Sequence, residues 1–331
     1  MIGFTIAIIL WEVVLISLIE LNNVKKYFES KSSPHPIKAV DGVDLSVKKG
    51  EVLGLIGESG SGKSTLGKMI LGLEEPSSGQ ILFKDKEINK LLKNDRKAYY
   101  RQVQMIFQNP YDVFDDSYTI ERSLKDNLKI HEIAQGHEDE FLKDLLESFS
   151  MKPASDFLRR YPKDLSGGQL QRIAILRSMI LKPDFLVADE PVTMLDVSVR
   201  SEIINLLLEA KEINGTSILF ISHDIATTSF ISDRLAVMYL GQIVEEARAD
   251  ELLEKAYHPY SKVLISYTNS IFQDRKKDRI KIKSDPPKSQ NLGNKCYFSS
   301  RCYKAKDRCF KEMPDLEDLG SGRKVRCFYY G

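Results

Sequence analysis

Cysteine is absent from the first 295 residues of this 331-residue chain. All four, Cys296, Cys302, Cys309 and Cys327, fall in the last 36 residues, three of them within NKCYFSSRCYKAKDRCF. A disulfide framework through the main body is thereby excluded. The one stretch that resembles a membrane anchor, MIGFTIAIILWEVVLISLI at the start, meets Glu12 after 11 uncharged residues. A spanning helix needs about 20 apolar residues, and a carboxylate at mid-bilayer is costly. A secretory signal wants a basic lead and a small-residue cleavage site, and neither is clear here. Net charge is only +1, which argues neither for nor against nucleic acid.

The charge is unevenly spread, however. Residues 271–331 hold 16 Lys and Arg against 8 Asp and Glu; the totals of 48 and 47 leave 32 against 39 for residues 1–270. A basic tail on an acidic body fits either an acidic or phosphate-bearing partner surface or a solvated tail. With 42% hydrophobic and 29% charged residues, the chain has the composition of a globular protein with a substantial core. LISLIELNNVKKYF, residues 15–28, reads as the first strand of a folded domain. Residues 1–14 are then expected to be a non-native or disordered extension. Trp11-Glu12-Val13 can be encoded by a purine-rich ribosome-binding sequence ahead of Leu15 as a start; a cytosolic extension and a membrane anchor are the other readings.

EVLGLIGESGSGKSTLGKMILG is the clearest signal. Residues 51–56 form a short apolar strand, and Gly57-Glu-Ser59-Gly60-Ser61-Gly62-Lys63-Ser64 fits G-x-x-x-x-G-K-[ST]. Leu66, Met69, Ile70 and Leu73 then follow helical spacing. The glycines let backbone N–H groups turn in around phosphate oxygens, and the helix after Thr65 adds its positive end. Lys63 is placed for the outer phosphates and Ser64 for Mg²⁺. A chance glycine-rich turn would lack this strand–loop–helix setting.

A phosphate loop needs an acidic partner for the metal. PDFLVADEP supplies Asp189 at the end of an apolar strand, with Glu190 next to it as a general base for water. Paired acids after a strand also mark plain helix starts; the phosphate loop gives them the catalytic reading. TSILFISHDI reads as another buried strand, residues 217–222, with His223 at its carboxyl end, where ligands collect in open α/β sheets. His223 is expected to bond the γ-phosphate.

YPKDLSGGQLQRIAI carries a resemblance. Leu165-Ser166-Gly167-Gly168-Gln169 resembles the signature motif of ABC-type ATPases, again a small-residue loop opening a helix. With the phosphate loop, acid pair and histidine in order, the chain is identified as a member of that family. The resemblance implies ATP sandwiched head to tail between two such chains. It also implies a fold: an α/β P-loop core, with a RecA-like sheet plus an antiparallel β subdomain, and an inserted helical subdomain over about residues 85–165.

By the same resemblance, Gln108 in MIFQNPY is the glutamine that touches metal and water, and Asp196 in TMLDVSV is the interface aspartate. Phe28, favoured over Tyr27, stands where an aromatic stacks on adenine; simple core packing is the other reading. Thr193-Met194 departs from the usual Ser-Ala pair and puts the packing of that loop in doubt. NPYDVFDDSYTI falls where importers meet a coupling helix of the membrane permease. A mechano-ATPase on nucleic acid would show long coiled-coil arms or a second cassette, and a fused exporter several spanning segments; neither is seen. No nucleic-acid partner is expected.

AYHPYSKVLISY, residues 256–267, resembles the His-Pro-Tyr element of the oligopeptide/dipeptide importer subfamily. His258 itself lies past the ATPase core and is read as structural. The subfamily implies ATP hydrolysis that drives peptide uptake, with oligosaccharide or nickel as other cargoes of relatives. It implies a second ATPase subunit (paralogue or copy), two permease subunits and, indirectly, an extracytoplasmic binding protein. The chain would sit peripherally on the cytoplasmic face of the cell membrane. Residues 15–270 make the nucleotide-binding domain, and residues 271–331 a basic linker and small Cys₄ domain.

The cysteine spacing is C-x5-C-x6-C-x17-C. Zinc sites usually use C-x₂₋₄-C pairs, which are absent here. Four thiolates also hold iron–sulfur clusters, and some members of the resembled subfamily carry [4Fe–4S] in this tail. A [4Fe–4S] cluster is the first expectation, Zn²⁺ the alternative, and no metal the third reading. Either metal would organise a segment too short to fold on apolar burial.

Overall fold

The computed structural model describes residues 17–30, 33–193, 195–272, 280, 282, 287, 289–290 and 292–330. The expected extension, residues 1–14, and Met194 lie outside the described residues.

The chain opens with β1 (Ser17–Phe28) and β2 (Ile37–Lys48), then β3 (Val52–Ile56) and α1 (Lys63–Ile70). Next come β4 (Ser78–Phe83), β5 (Lys86–Glu87), α2 (Ile88–Asn94), α3 (Arg96–Gln102) and β6 (Val103–Ile106). A helical stretch follows: α4 (Ile120–Ile130), α5 (Glu138–Ser148), α6 (Ala154–Leu158) and α7 (Gly167–Met179). The chain then alternates through β7 (Phe185–Asp189), α8 (Val197–Asn214), β8 (Ser217–Ser222), α9 (Ile225–Ile231), β9 (Arg234–Tyr239) and β10 (Gln242–Arg248). It closes with α10 (Ala249–Glu254), α11 (Pro259–Phe272), β11 (Glu317–Asp318) and β12 (Lys324–Val325).

Among the described residues these strands form two sheets. β2-β1-β4-β5 is antiparallel; the larger sheet runs β11-β12-β10-β9-β3-β8-β7-β6. Its middle, β9-β3-β8-β7-β6, is parallel. The parallel strands VLGLI, FLVAD and SILFIS are buried at every position, as their unbroken apolar runs require when helices cover both faces. All three match the strands read from sequence to within a residue or two. The carboxyl ends of β3, β7 and β8 lie side by side, which brings Gly57, Glu190 and His223 to one edge.

Helices α4, α5 and α7 pack through Ile120, Leu124, Leu128, Leu142, Leu146, Leu170 and Ile173 into a core of their own. Thr119 starts α4 by accepting from the Arg122 N–H at 3.3 Å, and Leu124 and Leu128 repeat on one face. Within the segment expected to be helical from residue 85, β6 instead joins the main sheet beside β7. The helical layer therefore begins only past Gln108.

The tail does not stand apart. β12 pairs with β10 (Glu245 with Val325, Glu246 with Lys324), so the last strands extend the larger sheet. Tyr297, Phe298 and Cys302 share a core with Tyr239, Leu252 and Tyr260. Among the described residues no helix is long and apolar enough to cross a membrane.

Candidate nucleotide and cysteine sites

The phosphate loop leaves β3 and enters α1 through Gly62, which adopts φ +105°. A Cβ there would stand 2.0 Å from the Ala39 carbonyl oxygen, so glycine is required twice over. Lys63 is buried and its Nζ donates to the Gly57 carbonyl (2.8 Å), the Glu58 carbonyl (3.0 Å) and Ser61 Oγ (3.3 Å). Burial lowers the Lys63 pKa, while Glu190, Asp189 and Glu58 work to hold the charge. Ser64 Oγ donates to Asp189 Oδ1 at 3.0 Å. Burial raises the Asp189 pKa, with the Ser64 bond opposing it.

Glu190 sits in the left-handed region, φ +49°, where a non-glycine residue is strained. Its N–H donates to the Ile221 carbonyl at 2.9 Å, which ties the turn to β8. His223 Nδ1 lies 2.8 Å from Glu190 Oε1, and the Thr193 hydroxyl donates to Oε2. Both carboxylate oxygens are thus aimed by neighbours. Glu190 and His223 line a cavity of about 470 Å³ together with Ser59, Gly60, Ser61, Gly62, Lys63, Ser64, Thr65 and Gln108. Residues as far apart as Ser59 and His223, 164 positions along the chain, are gathered here by strand order.

Three expected residues stand outside the lining: Phe28, Gly57 and Asp189, the last tied to it through Ser64. Phe28 does not line this cavity; it pairs across the sheet with Ile37, which does. The Phe28 ring carries the Lys26 ammonium, 4.9 Å from its centroid. Gly57 lies behind the lining, at the end of β3.

Ser166, Gly167, Gly168, Gln169 and Asp196 line a second, separate cavity of about 490 Å³ with Arg172 and Leu195. Ser166 caps α7 in a reciprocal box: its Oγ accepts from the Gln169 N–H (3.3 Å), and its N–H donates to Gln169 Oε1 (3.1 Å). Within one chain, the structure does not bring this loop to the phosphate loop.

Three features escaped the sequence reading. Thr193 was marked only as a departure, yet it bonds Glu190; its signal was the three-residue spacing from the acid. Gln171, buried in α7, donates to the Pro191 carbonyl at 3.3 Å and so ties the helix to the loop after Glu190. Ser289 lines the nucleotide cavity, and its carbonyl accepts the Lys38 N–H at 3.1 Å. Nothing local to the basic tail announced that contact.

Cys296, Cys302, Cys309 and Cys327 all line one cavity of about 20 Å³. None of the four forms a disulfide. Burial pushes the Cys296 thiol up to about 12 and raises Cys327 too. As placed, however, no group of three His, Cys, Asp or Glu among the described residues is set to hold a single metal ion. The donor chemistry, four thiols converging on one cavity, fits a sulfur-ligated group. His258 borders the same cavity, buried, and its Nδ1 accepts the Tyr260 N–H at 3.0 Å, a structural role.

Comparison with known proteins agrees with this geometry. The family described as ABC transporter matches residues 40–193, and the family described as oligopeptide/dipeptide transporter, C-terminal region, matches residues 244–309. The oligopeptide transport ATP-binding protein AppF of Bacillus subtilis is 39% identical over 324 residues, covering 95% of this chain and 98% of AppF. The dipeptide transport ATP-binding protein DppF of Haemophilus influenzae is 37% identical over 320 residues, covering 94% and 96%. Among solved structures, a dimeric ATP-binding cassette in a post-hydrolysis state with ADP and Pi superposes with a TM-score of 0.62 at 26% identity, covering 70% of this chain and 98% of that one. The cbiO1 subunit of Clostridium perfringens, part of an ABC transporter complex, gives 0.61 at 25%, covering 72% and 91%. The chain belongs to the ABC transporter ATP-binding proteins, in their oligopeptide/dipeptide transport family.

Proposed function

We propose that this chain is the ATP-hydrolysing subunit that powers uptake of oligopeptides or dipeptides through an ABC importer. The observation that carries the reading is Glu190, held by His223 and Thr193 at the rim of the phosphate-loop cavity. The triphosphate lies in the loop, with Lys63 redirected from the loop carbonyls to the outer phosphates. Glu190 takes the proton of the attacking water, and His223 orients that water and the γ-phosphate. Bound Mg²⁺ supplies charge neutralisation at the phosphates. Ser64, Asp189 and Gln108 are the residues that would hold it, and the Ser64–Asp189 bond supports that assignment.

Two separate cavities on one chain support a head-to-tail pair, in which Ser166 and Gly168 of one subunit complete the site of the other. Asp196 then lies at the seam. The partner is a copy or a paralogue. The helical layer acts as the inserted subdomain; exposed Tyr111, Asp115 and Asp116 face a permease coupling helix. The chain works at the cytoplasmic face, bound to two permeases that receive peptide from a binding protein. Phe28, paired with cavity-lining Ile37, is the aromatic that would stack on adenine. The four thiols hold a [4Fe–4S] group, or Zn²⁺, which would supply a cross-link between segments of the tail.

Reconstitution with its permeases and binding protein tests this reading. Peptide-stimulated ATP hydrolysis is expected; stimulation by an oligosaccharide or nickel instead would reassign the cargo, and absence of hydrolysis would reject the motor. Anaerobic purification with iron, sulfide and zinc analysis tests the thiol group.

A further inference from the structure

The phosphate loop carries a carboxylate of its own. Glu58 is the second residue of GESGSGKS, and an anion there would repel a triphosphate. The tail deals with it. Arg301, 4% exposed, reaches Glu58 in a two-pronged pair: Nη1 to Oε2 at 2.8 Å and Nη2 to Oε1 at 3.0 Å. Nη1 also lies 3.3 Å from the Tyr239 hydroxyl. The Glu58 N–H donates to the Tyr260 hydroxyl at 2.9 Å, so main chain and side chain are both held from the same side. Tyr239, Tyr260 and Phe298 pack around this contact with ring centroids 4.7–5.3 Å apart. Glu58 accordingly does not line the nucleotide cavity, although Ser59 through Thr65 do.

We infer that Arg301 is a positioning residue for nucleotide binding: it neutralises Glu58 and holds that carboxylate turned away from the phosphates. The inference rests on the ATPase reading above. It makes the C-terminal segment, 243 residues distant in sequence, part of the ATP site. Arg301 immediately precedes Cys302, so whatever orders the cysteine cavity also orders this clamp.

A charge clamp and a mere packing staple predict different things. Under the clamp, Arg301→Gln frees an uncompensated carboxylate beside the triphosphate. The Kd for a fluorescent ATP analogue should rise about tenfold, and the KM for ATP with it, while kcat at saturating ATP changes less than about twofold. Glu58→Gln removes the offending charge, so ATP should bind as well as in the wild type or more tightly. The double variant should bind like Glu58→Gln. Arg301→Lys, which keeps charge without the fork, should fall between Arg301→Gln and wild type.

Equal weakening by Arg301→Gln and Glu58→Gln would overturn the inference in favour of a staple. Unchanged ATP binding in a folded Arg301→Gln protein would also overturn it. If Arg301→Gln does not fold, Glu58→Gln decides: weakened binding there overturns the clamp. A wild-type chain that binds no ATP would overturn the ATPase reading first, and the clamp with it.

Discussion

His223 Nδ1 stands 2.8 Å from Glu190 Oε1, across the carboxyl ends of adjacent strands β7 and β8, while the Thr193 hydroxyl holds Oε2. The strained φ of +49° at Glu190 is held by this arrangement and by its N–H bond to Ile221. Glu190→Gln keeps the side chain's size but cannot take a proton. Turnover is expected to fall about 10²–10⁴-fold while ATP binding persists. Steady-state hydrolysis beside nucleotide titration checks both halves; near-normal turnover would remove Glu190 as the base.

Thr193→Val deletes the hydroxyl that donates to Glu190 and keeps the branched shape. A hydrogen bond to a charged group contributes about 1.5–3 kcal/mol, so kcat should drop roughly 10- to 100-fold with little change in KM. A kinetic comparison of Thr193→Val with Thr193→Ser would show it, since serine restores the donor. Equal rates in the two variants would mean the hydroxyl does not aim the carboxylate.

Arg234 joins three elements beneath the two sheets. Its Nη1 pairs with Glu51 at 2.9 Å and its Nη2 donates to the Ser46 carbonyl at 2.5 Å. Nε lies 3.1 Å from Glu246, an ion pair too poorly angled to count as a hydrogen bond. All three charged groups are buried. Arg234→Met leaves buried Glu51 without its cation and Glu246 with only Lys324, whose Nζ lies 3.6 Å from Oε2; the expected loss is about 3–5 kcal/mol. Urea unfolding of variant and wild type measures it; a loss under about 1 kcal/mol would show that water reaches the pair.

His258 is buried, and burial holds its pKa down at about 3. The unfolded chain takes up a proton below about pH 6.5, and the folded chain does so only near its depressed value. Stability carried by neutral His258 is therefore present above about pH 6.5 and lost as pH falls toward 3. Between pH 7 and pH 5 the loss should be about 2 kcal/mol. Urea unfolding at both pH values, with His258→Gln as control, reads the difference. An identical pH slope in the variant would refute the assignment.

Much of the candidate site's local structure was legible because its parts are local. GESGSGKS is a turn, a cradle and a helix start in eight consecutive residues, and FLVADE and LFISH each end a fully buried strand. Backbone geometry over so short a span follows from glycine placement and apolar runs. The helical layer was legible in kind but not in extent, because the short run VQMI in β6 gains its identity only by pairing with β7. Phe28 was placed at the site by position in the chain, yet its ring turns to Lys26 instead.

By itself the sequence determined that this chain has a phosphate loop, a pair of acids ending an apolar strand, a histidine ending another, and a small-residue helix start, since each is written in adjacent residues. Tertiary structure decided how they meet. Glu190 faces His223 and Thr193 because β7 and β8 lie in register, and the tail joins the ATPase because β12 finds the open edge of β10. Arg301 reaches Glu58 because the tail buries Arg301 beside the Tyr239 hydroxyl while the Tyr260 hydroxyl holds the Glu58 N–H. Such pairings are set by burial and by the need of every buried charge for a partner, and no window of neighbouring residues encodes them.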